Sequence, residues 1–227
     1  MSVRLAALVT GGKDSTLALY RALKQGYEVK HLVTMLPQRE DSWMFHFPNI
    51  HLTSLFAEAV GIPLVKAETT GIKEKELEDL KNLLSGLNID GVVHGGISSQ
   101  YQKERVDKIC RELNLRSIAP LWKEDPIKLL REMISLDFKT IIVGVYAYGF
   151  NESWLGRKID SKTLEDLIEL NKKYKISPVG EGGEYETLVL DTPFFKKKIQ
   201  LLQTEVTWKN YSGYLLVKKA ELKDKIL

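Results

Sequence analysis

The chain has 227 residues, 33 of them Lys or Arg and 30 Asp or Glu, and 44% of its side chains are apolar. That balance belongs to a globular protein with a sizeable core and argues against disorder, collagen and coiled coil. Divided at Pro120, the basic and acidic counts are 15 and 14 before it and 18 and 16 after it, so neither half carries the excess of a nucleic-acid binder.

No apolar run approaches the roughly 20 residues that span a bilayer. The N-terminal run after Met-Ser-Val-Arg lacks the length and cleavage site of a signal peptide, so the expectation is a cytoplasmic protein with no membrane association. The single cysteine, Cys110, excludes an intrachain disulfide and any CxxC metal site; set between Ile109 and Leu113 in a helical pattern, it reads as a small buried hydrophobe. His31, His46, His51 and His94 show no HExxH or HxH spacing, which disfavours a structural zinc site.

In chain order, residues 3–9 form a compact apolar run that ends at Thr10-Gly11-Gly12 and reads as a first strand. Residues 15–24 place Leu17, Leu19, Tyr20 and Leu23 near a 3.6-residue period, which predicts a helix capped by Gly26. Residues 28–36 read as the second strand, 37–49 as a long irregular loop, 50–60 as a helix ended by Gly61, and 63–67 as the third strand. A charged amphipathic helix over 73–84 precedes a short buried strand at 91–94, a helix at 98–113 and a fifth strand at 117–119. This alternation predicts an α/β fold, a parallel sheet with helices on both faces and right-handed crossovers.

Pro120 and Pro126 mark a change of character. Residues 127–136 and 161–174 read as helices and 140–146 as a strand; strands follow at 187–190, 198–208 and 214–220, the last two joined by a hairpin at 209–213. The expected organisation is a first domain over 1–120 and a smaller α+β domain over 121–227. Lys196-Lys197-Lys198, the one local basic cluster, reads as a solvated strand edge. The sequence fixes no oligomeric state, and a homo-oligomer stays open.

The strongest chemical signal is Thr10-Gly11-Gly12-Lys13-Asp14-Ser15, with Thr16 following, at a strand-to-helix junction. Unpaired amides and the dipole at a helix start favour anions, and paired glycines admit a phosphate without Cβ collisions. Thr10 and Ser15 add hydroxyls and Lys13 a positive charge, while the carboxylate of Asp14 implies a Mg²⁺ between itself and the phosphates. The loop is not a Walker A motif, because Asp14 follows Lys13 and Ala7 stands where the earlier glycine belongs; nor does the chain contain GxGxxG. A bare Gly-Gly turn is the bland alternative, which the five specific residues in this context outweigh.

A second cluster, Glu181-Gly182-Gly183-Glu184-Tyr185-Glu186 running into Thr187-Leu188-Val189-Leu190-Asp191, groups four glutamate and aspartate side chains around two glycines. In a strand Glu184 and Glu186 would share a face. Such grouping is costly unless the carboxylates meet a metal, a cation or water, although an exposed acidic turn reads the same way. Trp43-Met44-Phe45-His46-Phe47 makes an aromatic loop at the carboxyl end of a strand, either a substrate lid or local packing. His46 reads as an acid or base, or as a structural hydrogen-bonding histidine. Gly95-Gly96 ends the fourth strand. Tyr101 and Arg105 share a helix face, with Arg105 available to a phosphate or carboxylate or engaged in a surface ion pair with Glu104 or Asp107.

Thr10–Ser15 resembles the SGGxDS pyrophosphatase loop of the N-type ATP pyrophosphatases, with Thr10 in place of the first Ser. Residues 181–191 resemble the C-terminal signature of the diphthine–ammonia ligase family. Ser42–His46 with Pro48-Asn49, Gly95–Gln102 with Arg105-Val106, and Pro120-Leu121-Trp122 are similar to further segments of that family. The resemblance implies a five-stranded parallel sheet of the nucleotide alpha-hydrolase type and a smaller C-terminal domain. It also implies ATP-dependent amidation, through an acyl-adenylate, of diphthine on translation elongation factor 2, with ammonium as nitrogen donor and AMP and pyrophosphate as products.

On this reading ATP is held by Thr10, Gly11, Gly12, Lys13, Asp14, Ser15 and Thr16 with Gly95 and Gly96, and Mg²⁺ by Asp14. The chemistry falls to Lys13, Asp14, Glu184 and Glu186. Substrate contacts fall to Trp43, Met44, His46, Tyr101 and Arg105 and to Glu181, Gly182, Gly183, Glu184 and Tyr185. The carboxylates could bind ammonium, deprotonate it, or grip the trimethylammonium group of diphthine. Rival readings are an ATP-dependent ligase acting on a tRNA base or a cobalamin-type carboxylate, and a non-catalytic adenine-nucleotide sensor; Asp14 and the acidic cluster argue against the sensor.

Overall fold

The structure, a computed structural model, describes residues 3–37, 49–70 and 73–225. Its first sheet contains β1 (Arg4–Leu8), β2 (Glu28–Pro37), β3 (Leu64–Thr69), β4 (Gly91–Val93) and β5 (Arg116–Ile118), all parallel, in the order β3-β2-β1-β4-β5. The interleaved helices are α1 (Lys13–Lys24), α2 (Thr53–Val60), α3 (Lys73–Ser85) and α4 (Gln100–Glu112). The central strand is short and apolar because both its faces are covered: Leu5, Ala6 and Ala7 are buried. Leu17, Ala18 and Ala22 of α1 and Phe56 of α2 pack on one face; Leu80 and Leu84 of α3 and Val106, Ile109 and Cys110 of α4 pack on the other. Strand order reverses between β1 and β4, which opens a crevice beyond the carboxyl ends of these two strands.

The second sheet is antiparallel, in the order β7-β6-β9-β8, built from β6 (Lys139–Val145), β7 (Tyr185–Asp191), β8 (Lys197–Lys209) and β9 (Ser212–Asp224). Two further helices, α5 (Pro126–Ser135) and α6 (Ser161–Tyr174), accompany it. Asp125 and Asp160 cap these helices, accepting the amides of Lys128 and Thr163. One continuous apolar core runs from Leu5, Leu17 and Phe56 through Leu129 and Phe138 to Ile142, Val189 and Ile199, so the two sheets share an interior. Arg21 fastens the far end of α1 to the connecting segment: it donates to the Pro120 carbonyl at 2.8 Å and pairs with Glu124 and Glu132. Lys196 and Lys197 are exposed beside β8, the outer strand of its sheet, as a solvated edge requires.

The helix expected over 50–60 divides into a 3₁₀ turn at Ile50–Leu52 and α2. The reason is Asn49, which is fully buried and bonded to the second sheet: its side-chain amide donates to the Leu215 carbonyl at 2.9 Å and accepts the Val217 amide at 2.8 Å. His51 Nε2 lies 2.9 Å from the Val217 carbonyl. Strand β6 pairs with β9 only at Tyr214 and Gly213, so Asn49 supplies the ladder partners that β9 lacks beyond that point. Asn49→Ala leaves a buried amide and a buried carbonyl unpaired. It is expected to cost about 2–4 kcal/mol in urea unfolding, with an unchanged m-value.

Candidate active site

The glycine loop joins β1 to α1. Gly11 takes φ +83°, a conformation glycine adopts freely, and Gly12 stands at the N-cap of α1 with no side-chain oxygen to cap the helix. The Thr16 hydroxyl, fully buried, donates to the Gly12 carbonyl at 2.7 Å, and the Ser15 hydroxyl donates to the same carbonyl at 3.1 Å. Thr10 and Gly12 amides meet the Ser15 and Thr10 hydroxyls at 3.4 Å. Thr16 thus shapes the loop from below, while the first-turn end of α1 faces the crevice. Gly95, at the end of β4, lies against this turn so closely that a Cβ there would stand 2.6 Å from the Ser15 nitrogen.

Strand β7 closes on the loop from the other sheet. The Val189 amide donates to the Gly11 carbonyl at 2.9 Å, and the Lys13 amide donates to Thr187 Oγ1 at 3.1 Å. The Lys13 side chain is buried, with its ammonium on the Val179 carbonyl, 2.8 Å from Asp14 Oδ2 and 5.1 Å from the centre of the Tyr185 ring. Burial disfavours that ammonium, but Asp14, Tyr185 and Glu186 outweigh it and hold its pKa above the ordinary lysine value. Burial pushes the Asp14 carboxyl up against the opposing pull of Lys13. Asp14 Oδ1 is buried and has no hydrogen-bond partner among the described residues.

The three glutamates of the acidic segment sit in three different environments. Glu181 Oε1 accepts the amides of Ile97, Ser98 and Ser99 at 3.3, 2.8 and 2.7 Å, where the chain enters α4. Glu184 turns back into its own loop and accepts the Ser177 amide at 2.7 Å and the Gly182 amide at 2.8 Å. Glu186 lies on β7 and faces the crevice. Burial pushes its carboxyl up to about 7, with Lys13 opposing and Asp14 adding to the rise. Tyr185, buried between them, donates to the Pro178 carbonyl at 2.7 Å.

The crevice is a cavity of about 880 Å³. Leu8, Val33, Met35 and Val106 make an apolar wall, and the loop residues Thr10 and Gly12–Ser15 form its floor. Gly95, Gly96, Tyr101, Glu181–Gly183, Tyr185 and Glu186 also line it. Arg105 stacks on the Tyr101 ring at 3.3 Å and donates to the Tyr101 carbonyl. Its expected neighbours are engaged elsewhere, Asp107 by Lys103 and Ser117 and Glu104 by Gln100. Trp43, Met44 and His46 lie outside the described residues.

Tyr146 and His94 are among the lining residues that escaped the sequence reading. Tyr146 follows β6, where only the end of a strand pattern marks it. His94 follows β4 and accepts the Gly96 amide on Nδ1 at 3.3 Å, fixing the glycine turn. Burial pushes His94 down to about 4 against the pull of Asp107. A histidine buried neutral costs stability as pH falls from its unfolded value near 6.5 towards 4, because the unfolded chain binds the proton first. The stability advantage of wild type over His94→Gln is therefore expected to shrink by roughly 2–3 kcal/mol between pH 7.5 and pH 4 in denaturant titrations.

The comparisons with known proteins agree along the whole chain. Residues 3–117 match the model of the diphthamide synthase N-terminal domain and residues 125–223 that of the diphthamide synthase C-terminal domain. The diphthine–ammonia ligase of Mus musculus is 35% identical over 256 residues, covering 99% of this chain and 94% of the mouse protein. That of Rattus norvegicus is 37% identical over 220 residues, covering 87% of this chain and 82% of the relative. That of Schizosaccharomyces pombe is 35% identical over 98% of this chain and 40% of its own length. With both domain models matched in order and full-length relatives at this identity, the chain belongs to the diphthine–ammonia ligase (diphthamide synthase) family.

Proposed function

We propose that this chain is a diphthine–ammonia ligase: it converts the carboxylate of diphthine on translation elongation factor 2 to the amide of diphthamide, with ATP split to AMP and pyrophosphate. The carrying observation is the start of α1, which has no side-chain oxygen at its N-cap, with Asp14 in its first turn, both lining a cavity that the acidic segment ahead of β7 also lines. A cavity of about 880 Å³ has room for a nucleotide and the end of a modified side chain.

A carboxylate resists attack by ammonia because its oxygen leaves poorly. Attack of the substrate carboxylate oxygen on the α-phosphorus of ATP makes AMP the leaving group. The phosphate chain would lie against the glycine loop and the start of α1, where the helix dipole favours an anion. The apolar wall of Leu8, Val33, Met35 and Val106 takes the adenine base. Gly95, pressed on the Ser15 nitrogen, holds the turn in place from the side of β4.

The residues also fit Mg²⁺. That ion prefers one or two carboxylates together with substrate phosphates and water rather than an all-protein cage. Asp14 Oδ1 offers one buried acceptor next to the phosphate floor, and no cluster of three His, Cys, Asp or Glu capable of caging a metal occurs among the described residues. When bound, the ion neutralises charge on the phosphates; Asp14 would hold it, kept in place by Lys13 on Oδ2.

The assay is release of AMP and pyrophosphate from ATP, Mg²⁺ and ammonium, with and without elongation factor 2 bearing diphthine, together with the mass change from acid to amide. Product dependent on that protein is the expected result; its absence overturns the named substrate. Asp14→Asn, which keeps an oxygen for the buried Lys13 ammonium, should lower AMP formation at least about a hundredfold while the chain still unfolds cooperatively. Turnover near wild type in that variant would remove Asp14 from the site.

A further inference from the structure

Tyr146 lies directly after β6, where its amide donates to the Glu184 carbonyl at 2.9 Å. Its side chain folds back over Gly144. A Cβ on Gly144 would stand 2.5 Å from Tyr146 Oη and within 3.0 Å of the ring. The ring therefore occupies the space that a side chain at position 144 would need. Gly144 pairs with Glu186 across the β6–β7 ladder, and directly opposed residues in an antiparallel pair share a face. The aromatic ring and the Glu186 carboxylate are consequently neighbours on one wall of the cavity, and both line it. Tyr146 remains 39% exposed, so part of the ring is open to a ligand.

The chemistry of this pair is selective. Among the described residues no donor pairs with the Glu186 carboxylate. Ammonium carries several N–H donors and calls for a ring of acceptors, whereas this wall offers one carboxylate and a π face. A quaternary ammonium donates no hydrogen bonds, presents a large polarisable surface and is held by an aromatic face with a counter-charge. The placement also fits. In an α-trimethylammonio carboxylate the cationic nitrogen is one carbon from the carboxyl group, so its subsite must adjoin the phosphate floor. Glu186 lines the same cavity as Gly12, Lys13 and Asp14 of that floor.

Resting on the ligase reading above, we infer that Tyr146 and Glu186 form the subsite for the quaternary ammonium group of the substrate, with Tyr146 the specificity-determining residue that favours the trimethylated α-amino carboxylate over less methylated forms. Glu186 supplies the counter-charge and the Tyr146 ring supplies the surface that only methyl groups cover well.

Glycine betaine is the smallest molecule with this pairing of groups, and dimethylglycine and glycine are its less methylated controls. The full chain is titrated with each by NMR, and each is tested as an inhibitor of turnover. Betaine is expected to bind in preference to glycine and to compete with diphthine-bearing elongation factor 2, leaving the KM for ammonium unchanged. Tyr146→Leu should weaken betaine about tenfold and raise the KM for the protein substrate comparably, while Tyr146→Phe, which keeps the ring, should restore both to within about twofold.

Equal binding of betaine and glycine, or betaine binding indifferent to Tyr146→Leu, overturns the assignment. A rise confined to the KM for ammonium overturns it too, by giving the wall to the nucleophile. If the leucine variant does not melt cooperatively, saturation transfer from aromatic protons to the betaine methyls in the wild-type chain decides instead: transfer supports the subsite and its absence overturns it. The binding arm needs no turnover. Betaine bound through Tyr146 in a chain that does not amidate the elongation factor would refute the ligase reading alone; amidation without any role for Tyr146 would refute the subsite alone.

Discussion

The pairing of β7 with the glycine loop is the contact on which the site depends. A strand-to-helix loop rich in glycine has no intrinsic rigidity, yet an anion site is effective only when its amides are aimed before the ligand arrives. Here the Val189 amide holds the Gly11 carbonyl, and Thr187 Oγ1 holds the Lys13 amide, so the edge of the second sheet splints the loop of the first. The buried Lys13 ammonium extends the splint to the Val179 carbonyl. A buried ion pair is weak evidence for stability, because desolvation offsets attraction. Its service here is positional: Lys13 occupies one oxygen of Asp14, while the other has no hydrogen-bond partner among the described residues.

The acidic segment is best understood as three carboxylates with three tasks. Glu181 accepts the amides of Ser98 and Ser99 just ahead of α4 and ties the segment before β7 to the one that follows β4. Glu184 shapes the turn through Ser177 and Gly182. Glu186 alone lines the cavity without a donor among the described residues, and burial raises its pKa against the pull of Lys13. The local density of negative charge is thereby divided among separate surroundings, two of the three carboxylates being met by backbone amides, so they need not repel one another within a single site.

Much of the fold was legible in the sequence because parallel strands covered on both faces appear as short apolar runs between helical periods. The first five strands and the four helices that follow them fall close to their expected spans. Helix α1 starts at Lys13, two residues before the expected Ser15, because Gly12 already serves as its N-cap and Asp14 suits the positive end of the dipole. The turn at Ile50–Leu52 was not legible, since its cause is the contact of Asn49 with the distant Leu215 and Val217. The glycine loop and the acidic segment stood out by composition alone, whereas the partners of Glu181 and Glu184 could not be read, because backbone amides leave no mark in a sequence. Tyr146 and His94 were missed for a related reason: each matters through the glycine beside it, Gly144 or Gly96, and only the folded chain brings the pair into contact.

The shared interior has a thermodynamic meaning for ligand binding. Because one core runs from Leu5 to Ile199, and because the loop on the first sheet is held by a strand of the second, the glycine-loop floor of the cavity and its opposite wall depend on the two sheets staying docked. A molecule that touches both surfaces therefore binds the docked state alone, and its binding free energy adds to the stability of the whole chain by mass action. Occupancy of the cavity and cohesion of the two sheets are then one linked equilibrium, in which each substrate that bridges the crevice also makes the next one's surface more persistent.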